Sequence, residues 1–290
     1  MSDEPPISGP RALARVFNAF HNVVYYAPEI YRFVDAGMRG WWMSYFAYRA
    51  APMGPVPAEV VIATFYNFAP RMVRRAVPAV WEVMRPADIL NLRSEAVDQA
   101  LRRLLASHLN DPELAQAAEL ARAAIEGCDP AGRALYAGHA ALPWPDEPHQ
   151  VLWHACTLMR EHRGDSHAVA LTAAEIDGVM SNALMVARGH GNKATILPIR
   201  GWKPEEWDEA VSHLVQRGWL RPGGMFTDEG RAGREAIECH TDRLDRAPYH
   251  RLGPEGTQRL IELTEPYMAI LDHGGINTEW PPKHLLHAGS

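Results

Sequence analysis

Three short patterns recur along this chain in the same order and at almost the same distance. Trp42 and Arg49, seven apart in WWMSYFAYR, return as Trp153 and Arg160 in WHACTLMR, 111 positions further on. VDQALRRLL from Val97 returns as WDEAVSHLV from Trp207 at an offset of 110, and Ala124-Ile125-Glu126 returns as Ala236-Ile237-Glu238 at 112. Self-similarity at one period marks a duplicated structural unit. Two copies of a fold of about 110 residues are therefore expected. The expected partition is an N-terminal segment over 1–25, a first repeat over 26–140, a second over 141–270 and a tail over 271–290.

The units read as helical. AVDQALRRLLASHL (96–109), ELAQAAELARAAIEG (113–127) and EEWDEAVSHLVQRGWL (205–220) place apolar residues three and four apart, the repeat that gives a helix one apolar face. Pro112, Pro148 and Pro204 stand where helices begin, because a first-turn proline loses no hydrogen bond. Strand-like alternation is scarce. WLRPGGMFT (219–227), with its Pro-Gly-Gly turn between two apolar runs, predicts a short hairpin. The expected fold class is mainly α: two tandem winged-helix-like repeats with short β-wings.

Composition bounds the setting. With 47% hydrophobic residues over 290 positions the chain can bury a sizeable core, yet no run approaches the ~20 apolar residues that span a bilayer. The opening MSDEPPISGP lacks the basic start and apolar stretch of a signal peptide. Three scattered cysteines form neither a disulfide framework nor a metal knuckle. A soluble, cytoplasmic protein without a membrane partner is the expectation. The net charge of -6 gives no overall attraction to nucleic acid.

In the second half, a helix ending LVQRGWL, a glycine-rich turn and FTDEGRAGREAIE form a sequence that resembles the end of a winged helix of the multiple-antibiotic-resistance regulator (MarR) type. More broadly, YFAYRAAPMGPVP, FYNFAP, WHACTLMREHRGDSHAVAL, RGWKPEEW and ECHTDRL, in order from about Gly40 to Pro266, resemble a little-characterised family known by a helix-turn-helix description. The resemblance implies a homodimer paired through long terminal helices such as REAIECHTDRL, and it keeps DNA in view as a partner. The charges disfavour DNA. The helix that would enter the major groove opens with Glu205, Glu206, Asp208 and Glu209, where phosphate contacts need cations. The wing carries Arg221 against Asp228 and Glu229; Arg71, Arg74, Arg75, Arg93, Arg102 and Arg103 in the first half form the better basic cluster.

The stretch WHACTLMREHRGDSH (153–167) gathers the most chemistry. On a helix from Pro148 to a stop at Gly164, Trp153 with Arg160 and His154 with Glu161 share one face, seven apart. His154 and Glu161 would stand roughly 10.5 Å apart by helical rise, too far to share a metal ion. His162, Asp165 and His167 flank Gly164, so a loop there could gather a His/Asp/His site. No metal or cofactor is specified: HExxH, GxSxG, GxGxxG and Walker motifs are all missing. Cys156 reads more simply as a small buried residue, and Trp42 and Trp153 as core anchors.

Arg49 and Arg160 sit in otherwise apolar helices, where an unpaired guanidinium is costly. Either each is bound within the core or both face a cavity between the copies. Tyr45, Met53, Phe65 and Asn67 lie nearby in sequence, and an apolar pocket with a few convergent polar groups is the common form of a small-molecule site. The expected ligand-binding set is Arg49, Tyr45, Met53, Phe65, Asn67, Trp153, Arg160 and His167. His154, Glu161 and His162 are the acid–base candidates should the site be catalytic. Two readings stay open: a small-molecule-binding tandem winged-helix protein without DNA binding, with or without catalysis, and a ligand-responsive regulator that binds DNA.

Overall fold

The computed structural model describes residues 9–276. The first eight positions of the N-terminal segment and the last fourteen of the tail lie outside the described residues.

The larger body is a helical bundle. It is built from α1 (Gly9–His21), α2 (Gly40–Ala50), α3 (Ala58–Phe65), α4 (Pro70–Ala76), α5 (Pro86–Leu105), α6 (Pro112–Ile125) and α7 (Ala134–Ala140). Single helical turns fill the connections at Val23–Tyr26, Arg32–Asp35 and Val80–Val83. The spine is α8 (Pro148–Ala173), which starts at a first-turn proline and packs its N-terminal half against α1 and α6. That half is buried on every side, from Val151 to Met159, so it carries no amphipathic stripe.

Beyond α8 come α9 (Gly178–Ala187), α10 (Lys193–Arg200), α11 (Pro204–Gln216), α12 (Asp228–Leu244) and α13 (Ala247–His273). The last is broken at Gly253, whose φ of 66° only glycine takes without strain. Local chemistry sets these starts: Asp177 accepts from the Met180 amide at the head of α9, and the Thr227 hydroxyl accepts from Gly230 at the head of α12. Asn192 and Thr195 close a reciprocal box on α10.

The apolar interior divides into two clusters. The first runs from α1 through Met159 and returns with Leu260, Leu263 and Leu271 of α13. The second collects Leu171, Ile196, Trp207, Leu214, Phe226 and Ile237, from the end of α8 to α12. Their boundary falls inside α8, within a continuous helix rather than in a linker.

Two sequence expectations change. The helix does not stop at Gly164: α8 continues to Ala173, because a mid-helix glycine costs only about 1 kcal/mol and packing of the C-terminal half on α12 offsets it. The hairpin at 219–227 is tight: Leu220 and Phe226 make one bridge, Arg221 N donates to Met225 O at 2.8 Å, and no strand forms among the described residues. No single helix among them is long and apolar enough to cross a membrane.

The two bodies are joined at the link between α3 and α4. Gly178 opens α9 against the Tyr66 carbonyl, so closely that a Cβ would collide with it. The Asn67 carbonyl accepts from Asn182 Nδ2 and from Trp202 Nε1, both at 2.9 Å, and Ala69 N donates to Arg200 O at 2.8 Å.

Candidate functional site

A cavity of about 790 Å³ lies at this junction. Its walls come from α1 and the turn after it (Phe17, Asn22, Tyr25, Tyr26), from α2 (Trp41, Trp42, Tyr45, Arg49), and from the Thr64–Phe68 link. The C-terminal half of α8 supplies Arg160, Glu161, Arg163, Asp165 and His167, and α10 supplies Arg200.

Its polar centre is a carboxylate between two arginines. Arg49 Nη2 donates to both oxygens of Glu161, at 3.2 and 3.1 Å, and Arg160 Nη1 donates to Oε1 at 2.8 Å. Tyr45 OH accepts from Arg49 Nη1 at 2.8 Å. Burial by itself would raise the Glu161 carboxyl, but Arg49 and then Arg160 outweigh it and hold it down to about 2. Each guanidinium also lies over an aromatic ring: Arg49 4.3 Å from the Phe65 centroid, Arg160 5.6 Å from Tyr25 and Arg200 4.5 Å from Phe68. Burial lowers Arg200 below the usual arginine value, and Arg49 and Arg160 add to that.

One turn beyond Glu161, Asp165 Oδ2 accepts from the amides of Leu135 and Tyr136 at 3.0 and 2.9 Å, capping α7. Burial, stronger than these two bonds, pushes its carboxyl up to about 7. Arg163 turns away from the centre toward Glu238, Asp242 and Asp245.

Of the residues proposed from sequence, Tyr45, Arg49, Phe65, Asn67, Arg160, Glu161 and His167 line this cavity. Met53, Trp153, His154 and His162 do not. Met53 sits in the turn at 51–53, the turn whose Pro52 carbonyl presses on Gly138 of α7. Trp153 stacks parallel on His21 at 6.3 Å. His154 meets the edge of Trp144 at 4.8 Å, and burial, followed by Arg93, lowers it to about 4. It shares a helix face with Glu161, but two turns away, and the cavity reaches α8 only from Arg160 onward. His162 is buried with Nδ1 on Asp245 Oδ1 at 2.5 Å. His167 bonds Thr241 Oγ1 at 2.9 Å through Nδ1. Because α8 is unbroken at Gly164, no loop gathers His162, Asp165 and His167, and no three His, Cys, Asp or Glu among the described residues are placed to hold a metal ion.

Arg200 was missed from sequence. Its signal was the one used for Arg49: it follows the buried Ile196 by four positions, an arginine on the apolar side of a helix.

Residues 10–277 match the sequence pattern of the Helix-turn-helix family. The chain belongs to that family. Neither a curated protein nor a solved structure matches it. In this helix-turn-helix protein the exposed side of α11 carries Glu205, Asp208, Glu209, Ser212, His213 and Gln216. The arginines of the first half are largely engaged by carboxylates: Arg71 with Glu206, Arg74 with Glu59, Arg102 with Asp98 and Arg103 with Glu29. Arg93 is buried, donating to the Tyr48 carbonyl at 2.9 Å.

Proposed function

We propose that this helix-turn-helix protein binds a small molecule in the cavity at the junction of its two cores, and that α11 does not carry a DNA duplex. Tyr45, Arg49, Phe65, Asn67, Arg160 and His167 are the proposed binding residues. One observation carries the reading: Arg49 and Arg160, brought from α2 and α8, meet on Glu161 in the wall of a 790 Å³ cavity rather than in closed core. Glu161, held by both guanidiniums, serves to arrange them rather than to move protons. The acidic outer side of α11 supports the second half of the reading, since phosphate binding needs cations there.

The tandem winged-helix architecture is part of this proposal. The three sequence matches fall on α2 and α8, α5 and α11, and α6 and α12, with two helices lying between the first and second in each half, α3 and α4 or α9 and α10. The hairpin after α11 stands where a wing would, and its counterpart after α5 is a turn of 3-10 helix at Ala106–Asn110.

A second reading, a ligand-responsive DNA-binding regulator, is favoured by family membership and by the bonds from Asn182 and Trp202 to the cavity residue Asn67. Native mass spectrometry of the purified protein, beside gel retardation of random duplex DNA, separates the two. A stoichiometric small molecule lost in Arg160→Ala, with no retardation, supports the first reading. Salt-dependent retardation supports the second, and an empty protein whose Arg160→Ala variant behaves identically sinks the cavity reading.

A further inference from the structure

Tyr66 is the strained point of the link that joins the two bodies. It leaves α3 at φ 32° and ψ −52°, a region that residues with a Cβ rarely adopt, and Asn67 N donates to Phe65 O at 2.5 Å across it. Such a turn persists at a non-glycine residue only where its surroundings hold it. Its ends are fixed in the first body: Phe65 and Phe68 pack on Phe46, with ring centroids 5.8 and 5.2 Å away.

The middle is held from the other side. Tyr66 OH donates to Ile176 O at 2.7 Å, the Asn67 carbonyl accepts from Asn182 and Trp202, and Ala69 N donates to Arg200 O. Gly178 completes the clasp. Alanine is the better helix former at the first position of α9, yet a Cβ there would run into the Tyr66 carbonyl, so this close approach is what requires the glycine. Thr64, Phe65, Tyr66, Asn67 and Phe68 all line the cavity, and Gly178, Asn182 and Trp202 stand behind them, outside its lining. Asn67 Oδ1 is buried with no donor among the described residues. A strained backbone and an unanswered polar atom thus oppose the bonds from the second body, the condition under which two arrangements compete.

We infer that the Tyr66 turn is a latch through which occupancy of the cavity sets how firmly the second body is seated; this rests on the binding reading above. In the latched form the turn is clasped on α9 and its residues form the cavity wall. In the released form Tyr66 returns to a negative φ, and the clasp and that wall are lost together. A molecule packed on the wall binds the latched form and draws the equilibrium toward it, so loosening the clasp weakens binding in turn.

Gly178→Ala tests this from outside the cavity, with N-phenyl-1-naphthylamine as the probe. The dye is uncharged and brightens in apolar sites, so the charged groups of the wall, Arg49, Arg160, Arg200, Glu161 and Asp165, do not decide the comparison. Thr64→Trp, which fills the cavity from its wall, should abolish binding and so place the dye there. Gly178→Ala is expected to weaken the dye about tenfold, the loss that follows when the latched form falls to about one tenth of the population. Asn182→Ala combined with Trp202→Phe, a milder loosening, should act in the same direction, both proteins being folded by circular dichroism. In the parent, the dye should slow amide exchange in α9 and α11 while α1 and α6 keep their rates. Unchanged dye affinity in both variants leaves the cavity reading standing and overturns the latch. Equal slowing in every helix also overturns it, since binding then stabilises one cooperative fold. A dye that does not bind the parent, or that binds Thr64→Trp equally well, removes the cavity reading and the latch together.

Discussion

Arg49 and Glu161 are 112 positions apart and meet in a two-oxygen ion pair, the Glu161 side chain 3% exposed. The pair joins α2 to α8, with Arg160 as a third member. Removing one partner of a buried pair leaves the other charge uncompensated, which costs about 3–5 kcal/mol. Glu161→Ala is accordingly expected to lower the free energy of unfolding in urea by that amount, and Glu161→Ala combined with Arg49→Met to recover a good part of it. If the separate costs of Glu161→Ala and Arg49→Met simply add in the double variant, the two residues are not energetically coupled.

Acid titration carries two opposing signs. Burial keeps His139, His154 and His167 neutral down to about 3, about 4 and about 4, against an ordinary 6.5. Unfolding therefore takes up protons between those values, and their contribution is lost as pH falls through that window. Asp165 has the reverse sign. Its folded value of about 7 lies above the ordinary 3.8, so the folded state holds the extra proton and stability falls as pH rises between the two. Asp165→Asn keeps an oxygen for the Leu135 and Tyr136 amides while removing this proton. The variant should be more stable than the parent at pH 8, and between pH 5 and 6 its stability should rise with pH more steeply by about 1.4 kcal/mol per unit. Parallel curves would mean that Asp165 titrates normally in the fold.

How much of this was legible beforehand depended on whether the signal was local. The helical periods around Leu101, Leu120 and Leu214 reported a local repeat, and helices formed there. Arg49 and Arg160 were legible for a different reason, since an arginine in an apolar helix has to be answered by something. The position of His154 was not legible: helical phase aligned it with Glu161, but how far along α8 the cavity extends is set by α2 and α10, which no local pattern encodes. Gly164 misled because a glycine reads as a helix end in isolation, whereas burial of α8 against α12 overrides that preference. Arg200 and the Tyr66–Ala69 link depend on contacts more than 100 positions apart, such as Asn67 with Asn182.

The three thiols differ sharply in access. Cys128 and Cys156 are buried, and burial pushes the Cys128 thiol up to about 11 and raises Cys156 further still. Cys239 is exposed on α12. Thiolate supply and access together set the rate of disulfide exchange. Titration of the native protein with an aromatic disulfide reagent should show one fast thiol, lost in Cys239→Ser, and two that react only on unfolding.

The link between cavity and second body predicts a coupled effect. The Asn67 carbonyl receives two side-chain donors, Asn182 Nδ2 and Trp202 Nε1, and Asn67 is among the residues that line the cavity. Trp202 lies just ahead of α11, so the bond reaches from the cavity wall to the entry of that helix. Trp202→Phe removes one donor with little change of shape, and Asn182→Ala removes the other. Each should cost about 1 kcal/mol, the net worth of one hydrogen bond, and the double change should cost more than their sum, because the buried carbonyl then has neither partner. Hydrogen exchange should report the loss as faster opening of α9 and α11, with the α1 and α6 amides unchanged. Uniform acceleration over both bodies would mean that these bonds contribute to a single cooperative fold and transmit nothing between cavity and helix.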